Sequence, residues 1–173
     1  MNGHEWFNYL KERRPEYALS RVALIERFAN KGKSKSDYAQ FGPIYQLFMY
    51  ATMLGFHRNE RIPLPSSPSE RTEFIAIYRW QPEGLVNYLL MLLMADKSIQ
   101  EEIGLDFMAM EDDEEAIIKD KFKHFVKIME EYANGGLGIL GDRFETNPDF
   151  FSDPFAFPSL LKEIADGNLI QSK

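Results

Sequence analysis

Pro43-Ile44-Tyr45-Gln46-Leu47-Phe48-Met49-Tyr50-Ala51-Thr52-Met53-Leu54-Gly55 is the stretch that decides the fold. Between Ile44 and Leu54 only Gln46 and Thr52 are clearly polar. A helix that is apolar nearly all round is a buried helix. Proline suits a first helical turn, where its missing N–H would have no partner anyway, so a start at Pro43 is expected. Glycine enters the left-handed region without strain, which makes Gly55 the expected C-terminal cap. A second such run, Gly84 to Asp96, carries Leu85, Val86, Leu89, Leu90, Leu92 and Leu93 behind the opening Gln81-Pro82-Glu83. Two apolar helices at the centre of a core predict a mainly α protein.

Working outward, Ile118, Phe122, Phe125, Val126, Met129 and Ala133 recur at steps of 4, 3, 1, 3 and 4. That stripe predicts an amphipathic helix from Glu111 to Asn134. Asp112-Asp113-Glu114-Glu115 would then sit at the positive end of its dipole. Asn134-Gly135-Gly136 is expected to end it in a sharp reversal, with a further helix over Leu137 to Phe144. Toward the N-terminus, Trp6 to Leu10 predicts a short helix stopped by Pro15. A second helix is expected from Glu16 to Asn30, ended by the polar stretch Lys31 to Asp37. Pro63, Pro65 and Pro68 exclude helix interior from the loop around them. Phe74 to Trp80 reads as a short helix or an extended segment, because a lone strand has no partner in this sequence. Brief helices are expected at Ser98–Ile103 and Ser159–Asp166. The expected architecture is a single compact helical domain over residues 1–173. It has about six helices, with room for one short extended segment near residues 73–79.

Composition sets the outer bounds. The chain has 173 residues, of which 45% are hydrophobic, 27% charged and 14% aromatic. Those proportions exclude a disordered or collagen-like chain. A chain of this size buries roughly 70% of its extended surface on folding, enough for a core without covalent staples. With no cysteine, disulfides, thiolate nucleophiles and cysteine-ligated zinc are ruled out, and a reducing compartment is the natural setting. The longest apolar run, Tyr88 to Ala95, has eight residues, against about 20 for a spanning helix. The start lacks a basic flank followed by an apolar run, so no secretory leader is expected and the protein is read as cytoplasmic. Net charge is −7, unevenly placed: residues 1–80 hold 12 Lys/Arg against 8 Asp/Glu, and residues 81–173 hold 8 against 19. Such a split can mark a basic face for a polyanion, but reads first as two solvated surfaces that differ in sign.

No catalytic set assembles from the motifs. Gly136-Leu137-Gly138-Ile139-Leu140-Gly141 matches the dinucleotide-binding fingerprint letter for letter. That fingerprint needs a preceding strand, and a helix precedes it here. The glycines read instead as a helix C-cap and a close helix–helix joint. Gly32-Lys33-Ser34 resembles the end of a phosphate loop, but the glycine required five positions earlier is Arg27. Arg27, Lys31, Lys33 and Lys35 remain candidates for phosphate contact as flexible cations. The three histidines, His4, His57 and His124, show no metal-ligand spacing. The carboxylates from Glu111 to Glu115 radiate from successive helix positions rather than converging. No cofactor is expected. Phe150-Phe151 and Phe155-Ala156-Phe157 read as core packing rather than as base-stacking platforms.

Three segments carry a family resemblance: Phe41 to Phe56, Arg58 to Leu64, and Met129-Glu130-Glu131-Tyr132-Ala133-Asn134-Gly135-Gly136-Leu137 continuing through Leu140. In these, within residues 40–65 and 125–145, the chain resembles the small proteins associated with bacterial DNA phosphorothioation (dnd) systems. The motif positions are Arg58, Arg61, Glu130, Glu131, Tyr132, Asn134, Gly135 and Gly136, and the resemblance attaches no catalytic role to them. It implies a non-enzymatic accessory or regulatory protein of a modification and restriction system that works by binding a protein partner or DNA. Arg27, Lys31, Lys33 and Lys35 would be the DNA contacts, with no membrane involved and the oligomeric state open. A small metal-dependent hydrolase or nuclease using scattered carboxylates and His57 is the enzymatic alternative, and a structural oligomer subunit is a third. Glu130 and Glu131 are either exposed or paired with an arginine such as Arg58 or Arg61.

Overall fold

In the computed structural model, which describes residues 3–110 and 113–171, the chain is mainly α. In order, the elements are α1 (Gly3–Lys11), β1 (Glu16–Ala18), α2 (Val22–Phe28), α3 (Ile44–Arg58), β2 (Arg71–Glu73), α4 (Glu83–Met94), α5 (Lys97–Ile103), α6 (Glu115–Thr146) and α7 (Ala156–Gln171). β1 and β2 form a two-stranded sheet. Short 3-10 turns cover Leu19–Arg21, Pro68–Glu70, Ile77–Arg79 and Pro148–Ser152.

Several boundaries differ from expectation, each for a physical reason. The segment from Glu16 does not open as a helix. Glu16–Ala18 pairs with Arg71–Glu73, a partner 55 residues downstream that local pattern does not reveal. The extended residues near position 73 thus have a strand to bond with, and Ile77–Arg79 is a 3-10 turn. Gly55 is not a cap. Helix α3 runs one turn further, and Asn59, at φ 54°, takes the left-handed cap position. Glu60 and Asn59 donate their N–H groups back to Gly55 and Phe56. The largest change is in α6, which continues through Asn134-Gly135-Gly136 to Thr146, so the expected reversal and separate helix are one continuous rod. Glu111 and Asp112 of the expected acidic start lie outside the described residues, as does the side chain of His4.

The chain forms two compact units. One comprises Met1–Glu16 and Glu73–Glu130, the other Tyr17–Thr72 and Glu131–Lys173. In the first, Leu10, Ile77, Trp80, Leu90, Leu93, Ile99 and Phe125 are fully buried. The Phe74 and Trp80 rings stack with centroids 5.6 Å apart, and Trp80 donates its indole N–H to the Ile75 carbonyl. Asp96 caps α5 by accepting the Ile99 N–H at 3.1 Å. Its hydrogen bond from the Ser98 hydroxyl, with the backbone N–H groups, holds its carboxyl below the usual range.

The second unit centres on Phe28, whose ring meets Phe151, Phe157 and Phe144 at 4.7, 5.4 and 5.8 Å. Leu47, Ala51 and Leu54 of α3, Leu137 and Leu140 of α6, and Leu160 of α7 complete this core. The expected core role of the aromatic tail holds for Phe151 and Phe157, while Phe155 is exposed. Tyr50 donates its hydroxyl to the Phe157 carbonyl at 2.6 Å, and burial pushes its phenol well above its ordinary value.

The glycines of α6 are what allow it to lie where it does. A Cβ at Gly136 would overlap the Ala51 carbonyl oxygen, one at Gly135 that of Glu60, and one at Gly55 that of Tyr132. The obstructing atoms are all main chain. A Cβ at Gly167 of α7 meets nothing within 4 Å. Gly136→Ala is therefore expected to destabilise the protein by about 3 kcal/mol or more, because backbone cannot relax around an added methyl. Gly167→Ala is expected to raise stability by up to about 1 kcal/mol through helix propensity. Paired urea melts of the two variants check both signs.

Candidate nucleic-acid interface

Between α2 and α3 the chain makes a loop tied at its base by main-chain hydrogen bonds. Asn30 and Lys31 donate to Gly42 and Phe41, while Gln40 and Phe41 donate to Phe28. Asn30 and Gly32 adopt positive φ, 61° and 85°, which turns the chain within three residues. Lys33 and Ser34 donate their N–H groups to the Asn30 carbonyl, and the Ser34 hydroxyl donates to the Glu26 carbonyl. A polar tip is thereby held on a rigid neck.

An open cleft of about 680 Å³ lies against this loop, lined by Arg27, Lys33 and Lys35 together with Glu26, Asn30 and Ser36. Of the four cations expected at such a site, three line one cleft. Lys31 is exposed on the same loop but does not line it. Three cations face one carboxylate, so the cleft is locally positive in a chain of net charge −7. Arg27 is also held in place, its guanidinium lying over the Phe144 ring at 4.1 Å. Phe144 is fixed in turn by edge contacts with Phe28 and Tyr38. A guanidinium stacked on a ring keeps its in-plane donors for an oxyanion. Asn30, Ser36 and Phe144 are absent from the sequence-based set. Phe144 is 117 residues from Arg27, and no local signal joins them.

The family-motif residues do a different job. Arg61 donates Nε and Nη2 to Glu131 Oε2 at 3.0 and 2.6 Å, settling which arginine and which glutamate pair. The Ile62 N–H donates to the Glu131 carbonyl, and Arg61 lies over the Tyr132 ring at 5.5 Å. Tyr132 is buried and meets Phe56 edge-on at 5.5 Å. Asn134, also buried, is fully used. Its amide donates to the Ile62 and Pro63 carbonyls, and its oxygen accepts Arg21 Nε at 2.9 Å. A buried amide with these partners carries little desolvation penalty. Together with Gly135 and Gly136, these groups clasp residues 60–63 onto α6.

Glu130 is separate from the clasp and accepts the Glu16 N–H at 2.8 Å. Arg58 is exposed in the last turn of α3, beside Glu60, Asp142, Arg143 and Glu163 at a smaller cleft. The three-glycine pattern from Gly136 to Gly141 lies inside α6, where it neither caps a helix nor opens one. His57 touches the Phe56 ring, and His124 faces Glu102 at 3.4 Å. Among the described residues, no three His, Asp or Glu side chains converge on a point where a metal ion would be held. No helix is long and apolar enough to cross a membrane, again among the described residues.

A protein-family model described as DNA sulphur modification system-associated protein 4 matches residues 23–156. That span includes the basic loop, the clasp and Phe144. No curated protein and no solved structure matches.

Removing one partner from a largely buried ion pair leaves the other charge desolvated. Arg61→Ala is therefore expected to cost about 2–3 kcal/mol and to release residues 60–63 from α6. Unfolding free energies give the magnitude, and the Glu60–Ile62 amide shifts report the release. Unchanged shifts there would show that the clasp does not depend on the pair.

Proposed function

Because the chain belongs to the family of DNA sulphur modification system-associated protein 4, we propose that it serves such a system as a non-enzymatic accessory protein that grips the DNA phosphate backbone. The grip is the cleft lined by Arg27, Lys33 and Lys35, and Arg27 seated on Phe144 is the observation that carries this reading. Sequence-independent binding to DNA is an electrostatic contact with phosphates. A chain of net charge −7 does not obtain it from overall attraction. It requires a local group of cations on one surface, and the pinned loop supplies one. Flexible lysines neutralise phosphates as point charges, whereas a stacked arginine offers a planar fork to two oxygens at once. Contacts to phosphate set position and affinity without reading bases. This suits a protein that assists enzymes acting on the backbone rather than on the bases.

The test is binding of the full chain to plain and phosphorothioate duplex DNA across a salt series. Lys33→Ala with Lys35→Ala is expected to weaken both complexes alike and to lower the slope of log affinity against log salt by roughly 2. Arg27→Lys, which keeps the charge and loses the fork, is expected to weaken binding as well. Absence of retention on either DNA at low salt would remove the DNA limb of this reading.

A further inference from the structure

A second cleft, of about 470 Å³, lies wholly within the first unit. Helix α6 contributes Lys123, Lys127 and Glu130 to it, which share one helix face at steps of 4 and 3. The turn after α1 contributes Arg13 and Arg14. That turn is pinned through its main chain. Arg13 donates its N–H to the Leu10 carbonyl and accepts that of Ile77, while Pro15 accepts that of Phe74. Two neighbouring cations are neutralised: Arg14 pairs with Glu73 at 3.3 Å, and Lys119, one turn before Lys123, pairs with Glu115. Three are not. Among the described residues, Arg13, Lys123 and Lys127 have no carboxylate partner. The Arg13 guanidinium lies over the Tyr9 ring at 4.7 Å, and its buried Nε has no acceptor. Opposing these cations are Glu12, which is exposed, and Glu130, which is buried and accepts the Glu16 N–H.

We propose that this cleft binds the phosphoryl group of a small ligand, a phosphate ester or a diphosphate. The stacked Arg13 keeps its planar fork for two oxygens, and an oxyanion on its Nε edge supplies the acceptor that the fold does not. Lys123 and Lys127, about 6 Å apart along α6, add two mobile point charges. The volume falls within the range of small-ligand sites. The carboxylates decide between a compact anion and a nucleic-acid strand. One phosphoryl group can seat among three cations, whereas an extended polyanion would lay its further phosphates against Glu12 and Glu73. The site is independent of the DNA grip, whose cations belong to the second unit.

The test is titration of the full chain with pyrophosphate at constant ionic strength, followed by backbone amide shifts. Saturable shifts are expected at residues 12–14 and 123–127, with a dissociation constant on the order of 1 mM. Lys123→Ala combined with Lys127→Ala is expected to weaken binding about tenfold or more. Arg13→Lys, which keeps the charge and loses the fork, is expected to weaken it about threefold. Glu12→Gln removes an opposing charge and is expected to tighten it, a gain that a merely structural role for these side chains does not produce. Lys33→Ala with Lys35→Ala is expected to leave it unchanged, so loss of DNA binding and loss of this site are read separately. Absence of shifts at about twentyfold that concentration overturns the proposal. So do shifts confined to residues 31–36, shifts indifferent to loss of both Lys123 and Lys127, or displacement of pyrophosphate from these residues by duplex DNA.

Discussion

The contact on which the second unit depends is one between main chains. Helix α6 lies so close to α3 and to the loop after it that carbonyl oxygens of Ala51, Glu60 and Tyr132 occupy the space that Cβ atoms would take at Gly136, Gly135 and Gly55. Glycine in a helix interior costs about 1 kcal/mol relative to alanine, so two in succession weaken α6 locally. The close approach offsets that weakness. It brings the Glu131 carboxylate and the Asn134 amide within hydrogen-bonding reach of Arg61, Arg21 and the carbonyls of Ile62 and Pro63. The proline-rich segment has few hydrogen bonds of its own to make. Arg61, Ile62 and Pro63 are bonded to this one face of α6.

The same residues show where sequence reading succeeds and where it stops. The helices α3, α4 and α6 are legible because their apolar spacing leaves no other way to hide that surface. Asn134-Gly135-Gly136 is misread because glycine has two physical uses, positive φ and close approach, and local sequence does not distinguish them. The difference is made by Ala51 and Glu60, more than 70 positions away. Strand pairing between Glu16–Ala18 and Arg71–Glu73 is hidden for a similar reason. Arg27, Lys33 and Lys35 are legible as a group because their charges cluster along the chain. What converts Arg27 from a mobile cation into a fixed one is Phe144, which only the folded chain brings beside it. The ion pair of Arg61 with Glu131 stands between these cases: the sequence offers two glutamates and two arginines for it, and the fold selects one pairing.

Helices α3 and α4 have nearly the same composition and different fates. Around α3, Tyr45, Leu47, Phe48, Met49, Ala51, Thr52, Leu54 and Gly55 are all buried. Helix α4 buries five residues on one side and leaves Tyr88 and Met91 in solvent. An apolar pattern states that a helix has surface to hide. It does not state whether the cover comes from the same chain.

The basic loop is secured through its main chain. Every bond at its neck, from Phe28, Asn30 and Lys31 to Gln40, Phe41 and Gly42, joins a backbone N–H to a backbone carbonyl. The main chains of Lys31 and Lys33 donate in this loop, while the side chains of Lys31, Lys33 and Lys35 take no part in those bonds. Stability and charge at this corner are therefore separable. Residues 31, 33 and 35 are free to gain or lose cations in descent or by design, retuning attraction to a polyanion while the scaffold beneath registers no change.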